Sequence, residues 1–541
     1  MRGKEEDHKV GATFEADVAV VGAGPVGMTA AALLASYGLS VVVVERNATT
    51  SEAPKAISID DEALRVYQAA GLGERTLRII LPGTGTKYYG ADGKALFQAR
   101  AEVPYRFGHP FKNPFAQPDL ERELLAHLHE EPRVQVLMGT ELLSLAQDEA
   151  SVELVCRTTE GSAVVKAAYA LGCDGGRSMV RECLSIEMTG RSHDDVWLVA
   201  DVVGDSHTER FGMHHGDPHR PHVIVPGRDG RCRYEFYLYP GECQAGQEPP
   251  FDLVRRLLEP FRPLTPEQVQ RAVTYRFNAV VADAWRAGQC FLLGDAAHMM
   301  PPFAGQGLNS GIRDAANLCW KIADVVQGRL TGRALDSYET ERRPHAEATV
   351  ALSAKLGRIV MTTNDRFARR RDTFVRAMMA TPDGRAYFEH MRYRPPQCYL
   401  DGLLETDTGA ATGVVIGQPR VFDVEHGRTR LFDDVVGNGW VLLGVGVPET
   451  GYQKVYDALR PLSPTVAHVA VGEHLPASSA APRVLVDVDG GLERELAAYR
   501  ERYVLLRPDR FVAASWAPHT LPDLVETLSM NRDGATALLE V

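Results

Sequence analysis

The run VVGAGPVGM sets Gly22, Gly24 and Gly27 at the spacing that accommodates a pyrophosphate. One glycine serves a tight turn, one lets the backbone approach the phosphates, and one allows close packing of a helix on a sheet. Pro25 lies inside the motif, and a phosphate would rest at the positive N-terminus of the helix that begins there. Glu45 falls 23 residues after Gly22, closes the valine run 41–44 and is followed by Arg46. A carboxylate at that place accepts hydroxyl hydrogens of an adenosine ribose and suits an unphosphorylated one, which points to FAD or NAD rather than NADP. Glycine-rich turns also occur as plain structure, but here strand, helix, second strand and terminal acid fall in order.

Two further clusters carry polar chemistry. Gly172-Cys-Asp174-Gly175-Gly-Arg177-Ser178 follows the apolar run AAYAL, and Gly294-Asp295-Ala-Ala-His298 is followed by Pro301-Pro302-Phe-Ala-Gly305-Gln-Gly307-Leu308-Asn309. In each, a strand ends in glycine and an acid follows; taken singly, either reads equally well as a polar turn.

The elements that must position these groups follow from hydrophobic pattern. Residues 18–21 and 41–44 are short, β-branched, apolar runs, hence central strands of a parallel sheet, with Gly38 ending the helix between them. PDLERELLAHLHEE carries leucines at 120, 124, 125 and 128, which is helical spacing; 134–138 and 151–157 read as strands. From about 190 to 280 the chain becomes β-rich with Gly, Pro and Asp turns. At Cys290 the α/β texture returns with a strand and a long helix from about Gly307, so the nucleotide domain is discontinuous. The basic stretch NDRFARRRDTFVRAMMA reads as a solvated face or domain contact, and after the break RYRPPQCYLDG a separate unit runs from about 410 to 541.

A chain of 541 residues implies roughly three domains, and a net charge of -12 without a dense basic block argues against a nucleic-acid partner. No apolar run approaches the length of a membrane span, and the charged opening lacks the apolar core of a secretory signal, so a soluble, cytoplasmic protein is expected. Eight cysteines are scattered without CxxC or metal-ligand spacing, which predicts reduced thiols and no metal site.

In this order the three motifs resemble the FAD-dependent aromatic hydroxylases, the single-component flavoprotein monooxygenases of the para-hydroxybenzoate and phenol hydroxylase type, over about residues 15–395. The stretches APKAISIDDEALRVYQAAGL, QPDLERELLAHL, RYEFYLYPGE and VLLRPD are most similar to the 3-(3-hydroxyphenyl)propionate hydroxylases. The resemblance implies an α/β fold with a Rossmann-like FAD-binding domain of the glutathione reductase type over 1–90, 105–188 and 285–395. A β-sheet substrate domain over 91–104 and 189–284 is inserted, and a thioredoxin-like domain follows over 410–541. That last domain contains no cysteine, which excludes thiol redox work there.

The resemblance also implies roles. Asp295 would accept from ribityl hydroxyls, with Gly294 letting the backbone approach. Amides of Gly305, Gly307, Leu308 and Asn309 at a helix N-terminus would face the flavin pyrimidine. Asp174 and Gly175 would serve the joint flavin and nicotinamide region, and Gln117 the flavin phosphates. Where the family commonly has PRA, this chain has Pro54-Lys55-Ala56; Lys55 keeps the charge without the planar fork. Pro302 matches a proline whose backbone carbonyl points at the aromatic substrate. His298 is a catalytic candidate by position, though beside the GD motif it reads as a structural imidazole. Arg233, Tyr237, Tyr239, His214 and His215 are candidates for substrate contacts and equally read as sheet-face residues.

The implied reaction is hydroxylation of a phenolic aromatic such as 3-(3-hydroxyphenyl)propionate. Hydride passes from NADH or NADPH to FAD, O2 adds to reduced flavin to give a C4a-hydroperoxide, and the phenol attacks its distal oxygen. Two other readings stand beside it: a hydroxylase of a polycyclic aromatic polyketide, and a non-catalytic FAD- or NAD-binding redox sensor, which would need only the first motif. Oligomeric state is left open, a homodimer being one option.

Overall fold

The structure is a computed structural model that describes residues 11–405, 411–448, 451–470 and 483–520, the side chain of His193 excepted. Residues 1–10 and 521–541, which the sequence assigns to the first and last domains, lie outside the described residues.

Four consecutive valines cannot alternate between core and solvent, so Val41–Glu45 must be covered on both faces, as in an interior parallel strand. It pairs in parallel with Thr13–Val21 on one side and Val134–Met138 on the other. Beyond Thr13–Val21 come Gly161–Gly172 and Cys290–Leu292, again parallel. The helix Pro25–Ser36 is buried from Gly27 to Ala35, which its small side chains permit. It packs on Gln117–Glu130, whose buried Leu120, Leu124 and Leu128 form the stripe that the leucine spacing predicts. An antiparallel meander, Glu141–Gln147 and Val152–Thr158, continues into the start of Gly161–Gly172.

The β-rich middle forms a second sheet in the order His298–Met299, Val269–Ala282, Met188–Val202, Cys232–Leu238, His222–Pro226, Gly212–His215, Thr86–Tyr89, Ala95–Ala99. Side chains alternate across it. Leu198, Ala200, Ile224, Tyr234 and Phe236 take one face and pack with the helix Phe251–Leu258, while Arg233, Glu235 and Tyr237 occupy the other. Thr86–Tyr89 belongs to this sheet, although the sequence placed residues up to 90 with the nucleotide layer; four residues are too few for a pattern to say which sheet they join.

Packing divides the chain into two compact units. The first comprises Met1–Ala101, Pro110–Ala315 and Ala346–Pro395, the second Glu102–His109, Ala316–His345 and Pro396–Val541. Residues 102–109 and 316–345, which the sequence assigns to the inserted and FAD-binding domains, thus pack with the C-terminal segment.

The second unit carries a seven-stranded sheet in which Val441–Val445, Thr465–Ala470 and Arg483–Asp487 run parallel and Arg502–Leu506 and Val512–Trp516 close one edge antiparallel. A group of buried charges joins its separate stretches. Lys321 donates to Glu341 at 2.7 Å, and Arg507 donates to both oxygens of Glu341 at 2.7 and 2.8 Å and to Asp509 at 2.6 Å. Lys321, Glu341 and Arg507 have fully buried side chains. Burial alone would raise the Glu341 carboxyl, but Arg507 and then Lys321 hold it far below the usual range. Trp440 adds an indole hydrogen bond to Asp324 at 2.7 Å.

Among the described residues no helix is long and apolar enough to cross a membrane. None of the eight cysteines, all among the described residues, is in a disulfide, and five of them are buried.

Candidate active site

The carboxyl ends of the parallel strands and the Arg233 face of the second sheet line a cavity of about 550 Å3. Crevices of this kind, outside the carboxyl ends of parallel strands, are where α/β sheets take ligands.

The three glycines of the first motif have three separate reasons to be there. Gly22 has φ +104° and lies so close to Cys173 and Asp174 that a Cβ would come within 2.5 Å of the Cys173 carbonyl. Gly27 is inside the helix, and a Cβ there would stand 1.9 Å from the Gly22 oxygen. At Gly24 a Cβ would meet nothing within 4 Å, so the space beside it belongs to the cavity. Gly22, Gly24, Pro25, Glu45, Arg46 and Lys55 line that end, whereas Gly27 does not reach it.

Glu45 is already engaged: Ala23 N–H donates to Oε2 at 2.8 Å and Asn47 N–H to Oε1 at 2.8 Å. It fastens the glycine turn to the end of its strand while facing the cavity. Gln117 is tied as well, accepting from Ala56 N–H at 2.7 Å and donating to Glu121 at 2.6 Å. Arg46, Lys55 and Arg177 are exposed around this end.

Asp174 accepts the amides of Met179 and Val180 through Oδ2 and so caps a short helix, while Oδ1 is buried without a hydrogen-bond partner. Gly175 beside it also lines the cavity. Asp295 extends into the cavity with no hydrogen bond among the described residues. Burial raises its carboxyl, against the pull of His298 and Lys55.

Gly294 and His298 turn away from the cavity. Asp314 accepts from Gly294 N–H at 3.1 Å and meets His298 Nε2 at 2.8 Å, and the His298 side chain is fully buried. His298 thus lies buried against Asp314 and does not line the cavity, which a catalytic role would require.

Pro302 reaches the cavity, and its carbonyl accepts Gly305 N–H at 2.7 Å, leaving one lone-pair direction. Gly305 is left-handed at φ +63° and turns the chain into the helix Gly307–Val326. Gly305, Gln306, Gly307 and Leu308 line the cavity. The amides of Gly307 and Leu308 lie in the first helical turn, where no helix carbonyl can reach them. Asn309 faces the other way: its side chain accepts Asp60 N–H at 3.0 Å and donates to Ser58 and Gly305 carbonyls.

Beneath that turn is a charged network that the sequence did not reveal. Arg313 donates to Asp60 at 2.7 Å and to Glu62 at 2.8 and 2.9 Å, and Gln306 donates to Asp60 at 3.2 Å. The neighbouring Asp61 carboxyl is raised to about 8 by burial and by Asp60 and Glu62. The run IDDEA signals a helix N-cap, which Asp60 does form with Ala63 N–H at 3.0 Å. That role conceals the second.

On the second sheet Arg233 and Glu235 reach the cavity, but Tyr237 packs beyond it, with its ring centroid 5.9 Å from that of Trp197. Arg233 is bound to Asp201 at 2.6 and 3.0 Å and donates to the Lys55 carbonyl at 2.7 Å, so it positions the loop that carries Lys55. Tyr239 donates to the His219 carbonyl, and His215 stacks between Tyr89 and His222; neither lines the cavity. His214 does, beside Val223, Val225, Met300 and Phe303. Burial, then Lys112 and His215, hold the His214 imidazole down at about 3, hence neutral. Lys112, another lining residue, gives no signal in FKNPFAQPD beyond that of an ordinary loop lysine.

An α/β nucleotide unit whose glycine turn, Asp174, Asp295 and helix start at Gly307 line one cavity defines a dinucleotide-cofactor protein. Residues 15–353 match the family model described as FAD binding domain, and the chain belongs to that family. Residues 413–531 match the HcaD C-terminal domain. The chain is 35% identical over 523 residues to a 3-(3-hydroxy-phenyl)propionate/3-hydroxycinnamic acid hydroxylase of Mycolicibacterium smegmatis, covering 95% of this chain and 92% of the relative. It is also 35% identical to a protein of the same name from Burkholderia cenocepacia, covering 92% and 93%. In fold it is similar to the flavin-dependent monooxygenase PieE in complex with FAD and substrate, at TM-score 0.79 and 20% identity over 96% of this chain and all of that one. Aklavinone-11 hydroxylase with FAD and aklavinone aligns at TM-score 0.73 and 23% identity over 97% and 99%.

The residues fit an FAD. Open space at Gly24, the residues Asp174 and Asp295, and the helix start at Gly307 and Leu308 all line one cavity, and Asp295 makes no hydrogen bond among the described residues.

Proposed function

We propose that the protein is an FAD-dependent monooxygenase that hydroxylates a phenolic aryl-alkanoate of the 3-(3-hydroxyphenyl)propionate kind, using NADH or NADPH and O2. The observation that carries this reading is the continuity of the cavity: one space runs from Gly24 and Glu45 past Asp295 and Gly307 to the chamber of Val223, Val225, Met300 and Phe303. FAD, when bound, supplies two-electron reduction by nicotinamide and activation of O2.

The chain supplies the rest. Gly22, Gly24 and Pro25 receive the pyrophosphate at the helix start, and Glu45 and Arg46 flank the adenosine ribose. Lys55 and Gln117 stand along the phosphates, and Asp295 accepts ribityl hydroxyls. Gly305, Gly307 and Leu308 present backbone to the flavin pyrimidine, with helix-start amides that favour negative charge there. Asp174 and Gly175 border the approach of nicotinamide. The apolar chamber excludes water and holds the ring, and the remaining lone pair of the Pro302 carbonyl accepts the phenol hydrogen. The sheet over 189–284 is the substrate layer. A soluble cytoplasmic location accords with the composition.

The test is the flavin-loaded protein with a panel of phenols, scored together for NAD(P)H consumption, ring-hydroxylated product and hydrogen peroxide. Slow basal oxidation, accelerated by a hydroxyphenylpropionate with matched product, is expected. If no phenol in the panel alters the basal rate or is hydroxylated, the reading fails.

A further inference from the structure

Among the described residues the chamber that would take the aromatic ring is lined by one cationic side chain that forms no ion pair, with Asp60 the acid that acts on it without contact. Lys112 is half-buried, lines the cavity and donates from Nζ to the Ala304 carbonyl at 3.0 Å; among the described residues it is in no ion pair. Its backbone is left-handed at φ +54°, a conformation uncommon outside glycine, and its neighbours are tight: a Cβ on Gly83 would lie 2.0 Å from the Lys112 carbonyl. The amine is thus held by the fold against the loop Pro302–Gly305.

The other lining groups on the sheet side offer no net positive charge. Arg233 is paired with Asp201 and lies 3.9 Å from Glu235, and His214 is neutral. The exposed Arg46, Lys55 and Arg177 stand at the nucleotide end. A phenol enters such a chamber uncharged, but a carboxylate carries its charge in, and burying it without a counter-ion is costly. Resting on the hydroxylase reading above, we infer that Lys112 is the residue that binds the substrate's carboxylate, so that the chamber selects aryl-alkanoates over neutral phenols.

Burial, with Arg394 adding to it and Asp60 opposing, lowers the Lys112 ammonium to about 7. The charged or titratable groups that face it are Asp60, Arg394 and His214. Asp60 is held ionised by Arg313 and Arg394 against its burial, and His214 is neutral above about 3, so among the groups that face the amine Lys112 is the one that changes near neutrality; Asp61, raised to about 8, acts on Asp60 rather than on Lys112.

The experiment is calorimetric binding of 3-(3-hydroxyphenyl)propionate and of its primary amide to the oxidised, flavin-loaded protein, without NAD(P)H. Wild type should bind the acid more tightly than the amide, and the acid's affinity should fall as pH rises above about 7, while the amide's stays level. Lys112→Met and Lys112→Gln should weaken the acid about 10- to 150-fold, the range for a lost charge-assisted hydrogen bond, and leave the amide within about threefold. Lys112→Arg should restore the acid and remove the pH dependence. Equal weakening of acid and amide, or no weakening of either, overturns the inference, and so does a wild-type affinity for the acid that is level from pH 6 to 9. That last measurement needs no variant. A wild type that hydroxylates phenols while the Lys112 variants bind the acid normally sinks the inference alone; a wild type that neither binds nor hydroxylates any of them sinks the reading and the inference with it.

Discussion

Replacing Gly24 and Gly27 by alanine, one at a time, separates what the glycine turn does for the fold from what it does for the cofactor. Gly24 sits at φ -75° and ψ 176°, extended backbone that alanine adopts, and its Cβ would meet nothing within 4 Å. As a helix N-cap, alanine is worse than glycine by about 0.5–1 kcal/mol. Against that, alanine restricts the unfolded chain and returns about 0.4–1 kcal/mol. The apo-protein should therefore change by no more than about 0.5 kcal/mol. A methyl group in the phosphate's space should lengthen or break a charge-assisted hydrogen bond, costing about 1.5–3 kcal/mol of FAD affinity, or about 10- to 150-fold. Gly27→Ala should behave in the opposite sense. Its Cβ would lie 1.9 Å from the Gly22 oxygen and 3.1 Å from the Cys173 side chain, so helix and strand must separate. Overpacking of that kind costs about 1–3 kcal/mol or more, with or without FAD. Denaturant unfolding of both apo-variants and FAD titration by quenching of flavin fluorescence give the four numbers required. If Gly24→Ala binds FAD as wild type does, or destabilises the apo-protein as much as Gly27→Ala, the assignment of that space to a pyrophosphate is wrong.

Asp295→Asn should loosen FAD by about 1–2 kcal/mol while leaving apo-protein unfolding unchanged, because the carboxylate faces the cavity and holds no part of the chain; a matching loss of apo stability would make it structural. Asp314→Asn should do the reverse, lowering apo and holo stability alike by about 1–3 kcal/mol in denaturant titrations, since it disturbs the buried hydrogen bonds that join Asp314 to Gly294 N–H and His298. Glu341→Gln should cost about 3–5 kcal/mol at neutral pH, because it leaves Arg507 and Lys321 buried without their counter-charge. Because the folded-state carboxyl is depressed, the wild-type contribution is complete above about pH 4.3 and drains away as pH falls below it; the difference between wild type and variant should narrow in acid, and a constant difference would refute the ion-pair account.

The parallel sheet and its first helix were legible because each carries its own reason in the residues. Four valines in a row allow one environment, and small residues along one helix allow one kind of packing. That Gly22, Gly24 and Glu45 would come together was legible for the same cause: glycine spacing and a terminal acid are local. The chamber end was not. Lys112 meets Ala304 across 192 residues and Arg313 meets Asp60 across 253, and nothing within either segment distinguishes those side chains from solvated ones. The alternation at Arg233 and Tyr237 put both on one face of the strand, yet a period of two says nothing of how far along the strand the cavity extends. Thr86–Tyr89 joins the second sheet and 316–345 packs with the C-terminal segment, partnerships that long-range packing settles and local pattern does not carry.

The buried contact of Arg507 with Glu341 bears on how far the C-terminal region is portable. The stretch that matches a family model of its own begins at 413, which invites its treatment as a cassette to be cut away or transplanted. Its core, however, is completed by 316–345 and 102–109, stretches drawn from the middle of the chain. A fragment starting at 396 would carry the Arg507 guanidinium without Glu341, and a chain ending there would present Trp320, Lys321 and Glu341 to water. Chimaeras between hydroxylases of this kind must therefore exchange all three stretches together, and an exchange of the tail alone should yield chains that express but do not stay folded.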